Sequence, residues 1–376
     1  MLTHICAAES APTRNPLRER RLWYDGNRSM YPIGCINCPE LPICGGLLIE
    51  SPVFDCMDFC CGKSKGCDKV CRKHPEYPDR VREIGTFALD TVPVSPKLPA
   101  PPLPASIPMI FHSSRRLGAA PLVAVALPLA RMFNRRDGSP RHHSHTALCE
   151  AYGIQPGNLV ILSGTDHDAP IERWWSFGEQ RRRELIRNLM RIGIAFTTTP
   201  NYSLFIDTPR WDDLHSIKRI ALVHQEFLSE GLPAALHVNG RTETDFRRWT
   251  EYVAGRPEVT HLAYEFTTGT GWAGRQEQHA EWLCELAHGV SRPLSVVLRG
   301  GVEVLPSLAA AFEQVTLLDT SSFMKAMMRK RAVLNGHLNW CSAPTLTGAP
   351  VDDLFAHNVT TIQSWVSHMV APSQSR

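Results

Sequence analysis

Residues 159–198 read LVILSGTDHDAPIERWWSFGEQRRRELIRNLMRIGIAFTT, and this stretch decides the fold. It begins and ends in short apolar runs, at residues 159–162 and 194–198. Between these runs, residues 171–192 have an amphipathic pattern, with an arginine-rich face opposite an apolar one. A buried strand, a helix and a second buried strand in this order are typical of the parallel α/β unit.

The same alternation continues on both sides of this stretch. Short apolar runs occur at residues 109–112, 122–127, 159–162, 194–198, 234–238, 261–266, 294–298 and 315–319. Amphipathic stretches lie between most of them, at residues 171–192, 213–230, 242–254, 276–287, 305–312 and 321–333. Strands that alternate with helices in this way predict an α/β fold, a (β/α)8 TIM-type barrel, for which about 250 residues is typical.

The opening of the predicted barrel is irregular. Only about nine residues separate the first two runs, which is too few for a parallel crossover helix. Either the barrel is irregular at its first strands, or the eighth strand lies elsewhere, with residues 337–341 as the candidate. A doubly wound open sheet is the alternative, although no G-x-G-x-x-G sequence follows any of the runs.

The chain divides into five predicted segments. They are a basic N-terminal arm (1–30), a small Cys-rich metal-binding module (31–90), a Pro-rich linker (91–108), the barrel (109–340) and a C-terminal helical extension (341–376). The linker reads TVPVSPKLPAPPLPASIP, and its seven prolines favour an extended, semi-rigid geometry. Within the extension, residues 352–370 have the pattern of an amphipathic helix that covers the barrel.

Composition indicates a globular protein. Of the 376 residues, 43% are hydrophobic and 20% are charged, and the net charge is +3. So small a net charge does not by itself indicate a polyanionic partner. The longest apolar stretch, residues 119–130, is too short to span a bilayer, and the N-terminus lacks the order of a signal peptide. We therefore expect a cytoplasmic protein with no membrane partner.

A dense group of cysteines predicts a metal site. Eight of the twelve cysteines fall in one short stretch: Cys35, Cys38, Cys44, Cys56, Cys60, Cys61, Cys67 and Cys71. Because a cytosolic chain keeps its thiols reduced, such a group binds metal more often than it forms disulfides. Two zinc ions or one iron–sulfur cluster are the two possible cofactors, and irregular spacing favours the cluster. A disulfide knot in an exported protein is the remaining alternative. Cys6, Cys149, Cys284 and Cys341 are scattered and are interpreted as buried thiols.

Polar residues follow the predicted strands, where the chemistry of barrel enzymes gathers. The carboxylates nominated as catalytic are Asp166, Asp168, Glu265 and Asp319. The residues nominated for substrate binding are His112, Asn201, His237, Asn239, Arg241, Arg299, Gly300 and Ser321. The alternative is that any one of these is a satisfied polar residue of the barrel lumen.

Two of the loops have the composition of a phosphate site. Arg299 and Gly300 follow the seventh run, and Ser321 follows the eighth. The loops after strands seven and eight are the common phosphate site of this fold, and Ser321 would offer its hydroxyl beside a helix N-terminus. Equally, Ser321 could only cap its own helix.

A basic loop indicates a nucleic-acid partner, DNA or RNA. It contains Arg131, Arg135, Arg136 and Arg141, followed by several histidines and opposed by only one acidic residue, Asp137. Local basic patches of this kind bind phosphate backbones. A solvated positive surface is the alternative interpretation.

At the level of architecture, residues 109–340 resemble the tRNA-guanine transglycosylase superfamily, which includes relatives that insert deazaguanine bases into DNA. The resemblance rests on a barrel with a separate cysteine-ligated metal, basic patches, strand-end aspartates and a phosphate loop. It implies that a strand-end aspartate attacks the sugar as the base leaves, and Asp166, Asp168 and Asp319 occupy such positions. The family's zinc motif, C-x-C-x2-C with a distant histidine after the late strands, is not matched, since only Cys341 lies there.

Three functions are consistent with these features. The first is a metal-containing barrel enzyme that acts on a nucleic acid or nucleotide by base exchange or glycosidic cleavage, as a transferase or glycosidase. The second is an iron–sulfur redox enzyme that acts on a small metabolite. The third is a non-catalytic nucleic-acid-binding component of a larger assembly.

Overall fold

The computed structural model describes residues 77–118, 122–204, 210–267, 274–346 and 348–371. Parallel strands form the core: β1 (Ser106–Pro108), β2 (Ala124–Pro128), β3 (Leu159–Ser163), β4 (Ile194–Thr198), β5 (Ala234–His237), β6 (His261–Glu265), β7 (Ser295–Arg299) and β8 (Gln314–Asp319). Their spatial order is β1-β8-β7-β6-β5-β4-β3-β2. Met109, which continues β1, forms a parallel bridge with Ala126 of β2, so the sheet is a nearly closed barrel. The predicted (β/α)8 fold is confirmed.

Helices connect most of these strands. Those on the outside of the barrel are α1 (Tyr77–Ile84), α2 (His145–Tyr152), α3 (Asp168–Ser176), α4 (Gly178–Arg191), α5 (Arg210–Ser229), α6 (Glu243–Ala254), α7 (Arg275–Val290), α8 (Leu305–Ala311), α9 (Ser321–Met327) and α10 (Asp352–Val370). An antiparallel hairpin of β9 (Lys330–Asn335) and β10 (His337–Ser342) follows α9. Residues 337–341, the alternative eighth strand, therefore lie in this hairpin and not in the barrel.

Alternate residues of each strand build two hydrophobic layers. One set points into the lumen, where Ile161, Phe196 and Val297 pack with small alanines such as Ala235 and Ala263. The residues between them face the helices and join the larger outer core. Because side chains alternate across a strand, short runs that are apolar at every position suit a barrel buried on both faces.

The first strand begins inside the segment predicted as a linker. β1 is Ser106–Pro108, and the predicted first run at residues 109–112 only continues it. The N–H of Leu317 donates to the carbonyl of Ala105 (2.8 Å), and the N–H of Met109 donates to that of Asp319 (2.8 Å). Proline has no backbone N–H to donate. The hydrogen bonds between β1 and β8 use Ala105 and Met109 instead, so Pro108 is tolerated at the end of the strand.

The connection from β1 to β2 contains no helix in its described residues, as the short spacing predicted. This connection is fastened to α10 at the other end of the chain. The Asp352 carboxylate accepts hydrogen bonds from the N–H groups of Leu117 and Gly118 (3.0 and 3.2 Å). The guanidinium of Arg116 lies 5.1 Å from the centroid of the Phe355 ring. The predicted C-terminal helix is thus present, and it packs against β1 and β8.

Residues 89–105, called the strap, run from α1 to β1 and close the amino end of the barrel. Leu103 packs into the lumen cluster, and its carbonyl accepts from the amide of Gln314, the first residue of β8. Lys218 donates to Ala88 and Thr91 at the start of the strap. Arg256 donates to the carbonyl of Val92. The Pro-rich segment is therefore packed on the barrel along its length.

The eight clustered cysteines (35–71) and the basic arm (1–30) lie outside the described residues. Of the other cysteines, Cys149 is a buried free thiol, as predicted, and Cys284 is a free thiol that is only half-buried. Cys341 is disulfide-bonded, which corrects its interpretation as a thiol. Among the described helices, none is long and apolar enough to cross a membrane.

Candidate functional site

Five polar side chains lie at the carboxyl ends of adjacent strands. Each lies two residues beyond an apolar lumen residue, so each is placed on the lumen side of its strand. We call this set the mouth ring: Ser163 of β3, Thr198 of β4, His237 of β5, Glu265 of β6 and Arg299 of β7. All are buried except Arg299, whose side chain is 24% exposed. The lumen therefore changes from apolar to polar at its carboxyl end.

Glu265 is the buried carboxylate of the mouth ring. Its Oε1 accepts hydrogen bonds from the N–H (2.8 Å) and the hydroxyl of Thr267. Its Oε2 lies 3.6 Å from Nε of Arg299. Burial raises the pKa of Glu265, while the charge of Arg299 and the Thr267 hydrogen bonds act in the opposite direction. A carboxyl group in such surroundings can hold a proton closer to neutral pH than an exposed glutamate.

Arg299 joins Glu265 to the loop after β3. Its Nη1 donates to the carbonyl of Thr165 (3.1 Å). Gly300 and Gly301 follow with φ of +76° and +71°. A Cβ atom at Gly300 would lie 2.6 Å from the Thr267 methyl group, so the glycine allows this turn to pack on the loop that holds Glu265. Gly300 therefore has a packing reason of its own, and its predicted contact with phosphate stays a prediction.

His237 is held in its neutral form and in one tautomer. Its Nδ1 lies 2.6 Å from the carbonyl oxygen of Thr199, which can only accept, so the proton is on Nδ1. Its Nε2 then has the lone pair and lies 3.4 Å from the Thr165 hydroxyl. Burial, assisted by the charge of Arg299, lowers the pKa of His237 to about 4. At neutral pH this ring is a hydrogen-bonding group without charge.

Thr165 connects the members of the mouth ring, and sequence reasoning missed it. Its hydroxyl contacts His237 and Glu265, and its carbonyl contacts Arg299. The preceding Gly164 lets the loop approach β4, because a Cβ atom there would lie 2.1 Å from the Thr199 oxygen. The glycine directly after a predicted strand was the available signal, since it marks a close backbone approach.

Asp166 and Asp168 lie in the loop that contains Thr165, but their contacts are local. Oδ1 of the half-buried Asp166 accepts from the N–H of His167 (2.8 Å). Asp168 is exposed at the first turn of α3 and accepts from the hydroxyl of Ser203. Neither has a described contact with a member of the mouth ring, and their catalytic role stays a prediction.

Asp319 binds the start of α9. Its Oδ1 accepts from the N–H groups of Ser321 (2.7 Å) and Ser322 (3.1 Å), and its Oδ2 accepts from the Ser322 hydroxyl. These are the backbone donors that a phosphate at this helix would need. The capping alternative therefore describes this helix start better than the predicted phosphate contact of Ser321, with Asp319 as the capping group.

Three of the other nominated residues have structural partners or lie beside the mouth ring. Arg241 pairs with Asp213 at 3.0 Å, and both side chains are buried, so Arg241 has a structural partner and its predicted contact with substrate stays a prediction. The Asn239 amide donates to the carbonyl of Tyr202 (2.9 Å). Asn201 donates its N–H to the carbonyl of Gly164 (3.1 Å), which places it next to the Thr165 loop.

A cavity of about 500 Å³ opens beside the carboxyl ends of β1 and β2. We call it the basic groove, and its polar lining is His112, Arg131, Asn134, Arg141, His142 and His143. It brings together two of the four nominated arginines and His112. The other two, Arg135 and Arg136, are exposed outside it, and their carbonyls accept hydrogen bonds from Arg173.

The positive charge of the basic groove comes from Arg131 and Arg141. Burial lowers the pKa of His112, and so do the charges of Arg131, Arg116 and Arg115. Burial also lowers the pKa of His142, with Arg141 and His143 contributing. None of the described residues that line the groove is acidic. An anion is the ligand that this arrangement would stabilise.

Fold and site together define a (β/α)8 barrel with a polar mouth and a neighbouring cationic groove. In comparisons with known proteins, no family model matches the chain, and no curated protein matches it significantly. Within the described ranges, no three His, Cys, Asp or Glu side chains are grouped to hold a metal ion.

Proposed function

We propose that this chain is a barrel enzyme that acts on a nucleotide or nucleic acid by acid–base chemistry at the mouth ring, with glycosidic cleavage or base exchange as the reaction. The observation that supports it most is Glu265, a buried carboxyl group with a raised pKa at the carboxyl end of a barrel strand. Barrel enzymes place their reacting groups at this end, and perturbed pKa values gather at active sites.

In the proposed reaction Glu265 is the general acid. It donates its proton to the leaving base as the bond between base and sugar breaks. Water or an incoming base then forms the new bond to the sugar carbon and returns a proton to the carboxylate. Arg299 stabilises the carboxylate between these steps, because its charge lies 3.6 Å from Oε2.

Neutral His237 and the loop around Thr165 would orient the base. A neutral imidazole and a threonine hydroxyl offer directional hydrogen bonds without attracting a competing anion. Because Nδ1 of His237 is committed to Thr199, only Nε2 can face a ligand. We assign His237 as a positioning residue on this ground.

We further propose that the eight clustered cysteines hold the metal, either as an iron–sulfur cluster or as zinc. Metal and sulfide analysis of anaerobically purified protein distinguishes the two. About four irons with matching sulfide would indicate a cluster, and about two colourless zinc ions would indicate two tetrahedral sites. A metal-free protein that remains folded would contradict both.

The central experiment is a turnover assay of the full chain on nucleotides, single-stranded and double-stranded nucleic acids, with free base measured by chromatography. Glu265→Gln should lower the rate about 10²- to 10⁴-fold, the usual contribution of a general acid. Glu303→Gln is the matched control, since Glu303 is an exposed glutamate just after β7. Equal rates for the two variants would contradict the assignment. Binding without release of base in any sample would favour a non-catalytic nucleic-acid-binding component.

A further inference from the structure

We infer that the basic groove binds a terminal phosphate, of a free nucleotide or of a nucleic-acid end, while the attached sugar and base lie at the mouth ring. The inference rests on the proposed function for the class of substrate. It adds which group of the substrate is recognised, and by which two arginines, Arg131 and Arg141.

The groove and the mouth ring lie at the same end of the barrel. Phe111, in the groove lining, directly follows the β1 continuation and packs against the lumen cluster. Arg131 lies in the turn that follows β2. Three strands separate β2 from β6 in either direction, so a ligand that contacts both the groove and Glu265 must span the lumen mouth.

The loop that holds the two arginines is ordered by its own hydrogen bonds. The N–H of Arg141 donates to the carbonyl of Met132 (2.9 Å), and the N–H of Gly138 donates to that of Asn134 (2.9 Å). The Asn134 amide also donates to the Ser139 hydroxyl (2.6 Å). Because this loop is built before a ligand arrives, less conformational entropy is lost on binding.

The arginines retain donors for a ligand. Nη1 of Arg131 donates to the carbonyl of Phe111 (3.0 Å), and Nε of Arg141 contacts Asn134 at 3.4 Å. A guanidinium has five N–H donors in a planar fork, so each contact leaves several free to face the groove.

The distribution of charge favours a phosphate end over a continuous backbone. Only Arg131 and Arg141 line the groove, whereas Arg135 and Arg136 lie outside it. A terminal phosphate has up to two charges and three accessible oxygens on one atom, and two arginine forks can satisfy them together. A backbone phosphate has a single charge and two accessible oxygens.

The test compares a single-stranded oligonucleotide that has a 5′-phosphate with the same oligonucleotide that has a 5′-hydroxyl. Binding to the full chain is measured by fluorescence anisotropy, and a nucleoside 5′-monophosphate is used as competitor. The phosphorylated oligonucleotide should bind about tenfold more tightly, the effect of a few partly exposed charge-assisted hydrogen bonds. Competition by the monophosphate would identify free nucleotides as ligands, and its failure would restrict the groove to nucleic-acid ends.

Arg131→Gln and Arg141→Gln should each remove most of this preference. Arg135→Gln and Arg136→Gln are matched controls, because they remove the same charge from the same loop outside the groove. Equal affinity for the two oligonucleotides, or equal loss in all four variants, would overturn the inference. Glu265→Gln should keep the preference for the 5′-phosphate and lose turnover. The binding assay therefore tests phosphate recognition by the groove, and the turnover assay tests the proposed reaction separately.

Discussion

The two ends of the barrel differ in what fills them. At the amino end, the strap inserts Leu103 into the lumen cluster, where the His261 ring contacts Phe196, and it binds the first residue of β8. At the carboxyl end, the lumen-side residues that end the strands are polar, and Thr165 connects His237, Glu265 and Arg299. Buried polar groups cost stability unless they are paired, so a chain that needed only to fold would gain more from apolar residues at both ends. The comparison supports the proposal that the carboxyl end holds the active site, whereas the strap stabilises the amino end.

The largest expected loss of stability comes from a residue at the carboxyl end that has a structural partner. Arg241 lies at the carboxyl end but pairs with buried Asp213. Arg241→Ala should lower the free energy of unfolding by about 3–5 kcal/mol, because it removes the guanidinium whose charge opposes that of the buried Asp213 carboxylate. Urea denaturation measures this loss. Replacing both residues with Met and Leu should recover much of the stability, and a stable single variant would show that the pair is not structural.

The next largest loss of stability is expected at the amino end, where it should occur without a change in function. Leu103→Ala should cost about 2–4 kcal/mol of unfolding free energy, since it leaves a cavity beneath the lumen cluster. Turnover per folded molecule and the preference for a 5′-phosphate should not change. Thermal denaturation measures the loss of stability, and the turnover and oligonucleotide assays on the same sample measure function. A change in ligand preference would contradict the structural role assigned to the strap.

Acid should destabilise both ends alike. Burial lowers the pKa of His237 at the mouth and of His261 at the start of β6 to about 4. As the pH is lowered from 6.5 to 4, these histidines take up protons in the unfolded chain but not in the folded chain. The free energy of unfolding therefore decreases as the pH falls. Each histidine contributes up to about 1.4 kcal/mol for each pH unit. His261→Gln should flatten the pH profile of urea denaturation and leave turnover unchanged. An unchanged profile would contradict the burial assigned to this ring.

The smallest effect concerns Asp319. Because Asp319 caps α9, Asp319→Asn should lower the free energy of unfolding by about 1 kcal/mol. Turnover of the folded protein should stay near that of the parent. Melting temperature and turnover are measured together. A loss of turnover at unchanged melting temperature would restore Asp319 to the catalytic role that its position at the end of β8 first suggested.

Most of the barrel was predictable from sequence, because strands buried on both faces produce short apolar runs with helical patterns between them. β1 was placed too late in the chain. Its prolines indicate a linker, and only the paired strand β8 shows that Ala105 and Met109 supply the ladder contacts. Pairing partners of this kind are remote in sequence and are not visible in local pattern.

The candidate site was predictable only in part. Glu265, His237 and Arg299 were nominated because they end strands, and in the structure all three contact Thr165. Arg241 and Asp319 satisfied the same rule, but their partners Asp213 and Ser322 engage them in buried structural contacts. Strand-end position therefore selects candidates, and the alternation of lumen-facing residues is needed to separate the mouth ring from its neighbours.

The most direct test of the function proposed for the carboxyl end is a crystal structure of the full chain with a nucleoside 5′-monophosphate. We expect the phosphate within hydrogen-bonding distance of Arg131 and Arg141, and the bond between base and sugar beside Glu265. A nucleotide bound at the strap, on the outer helices, or at the mouth with its phosphate turned away from the groove would contradict the account.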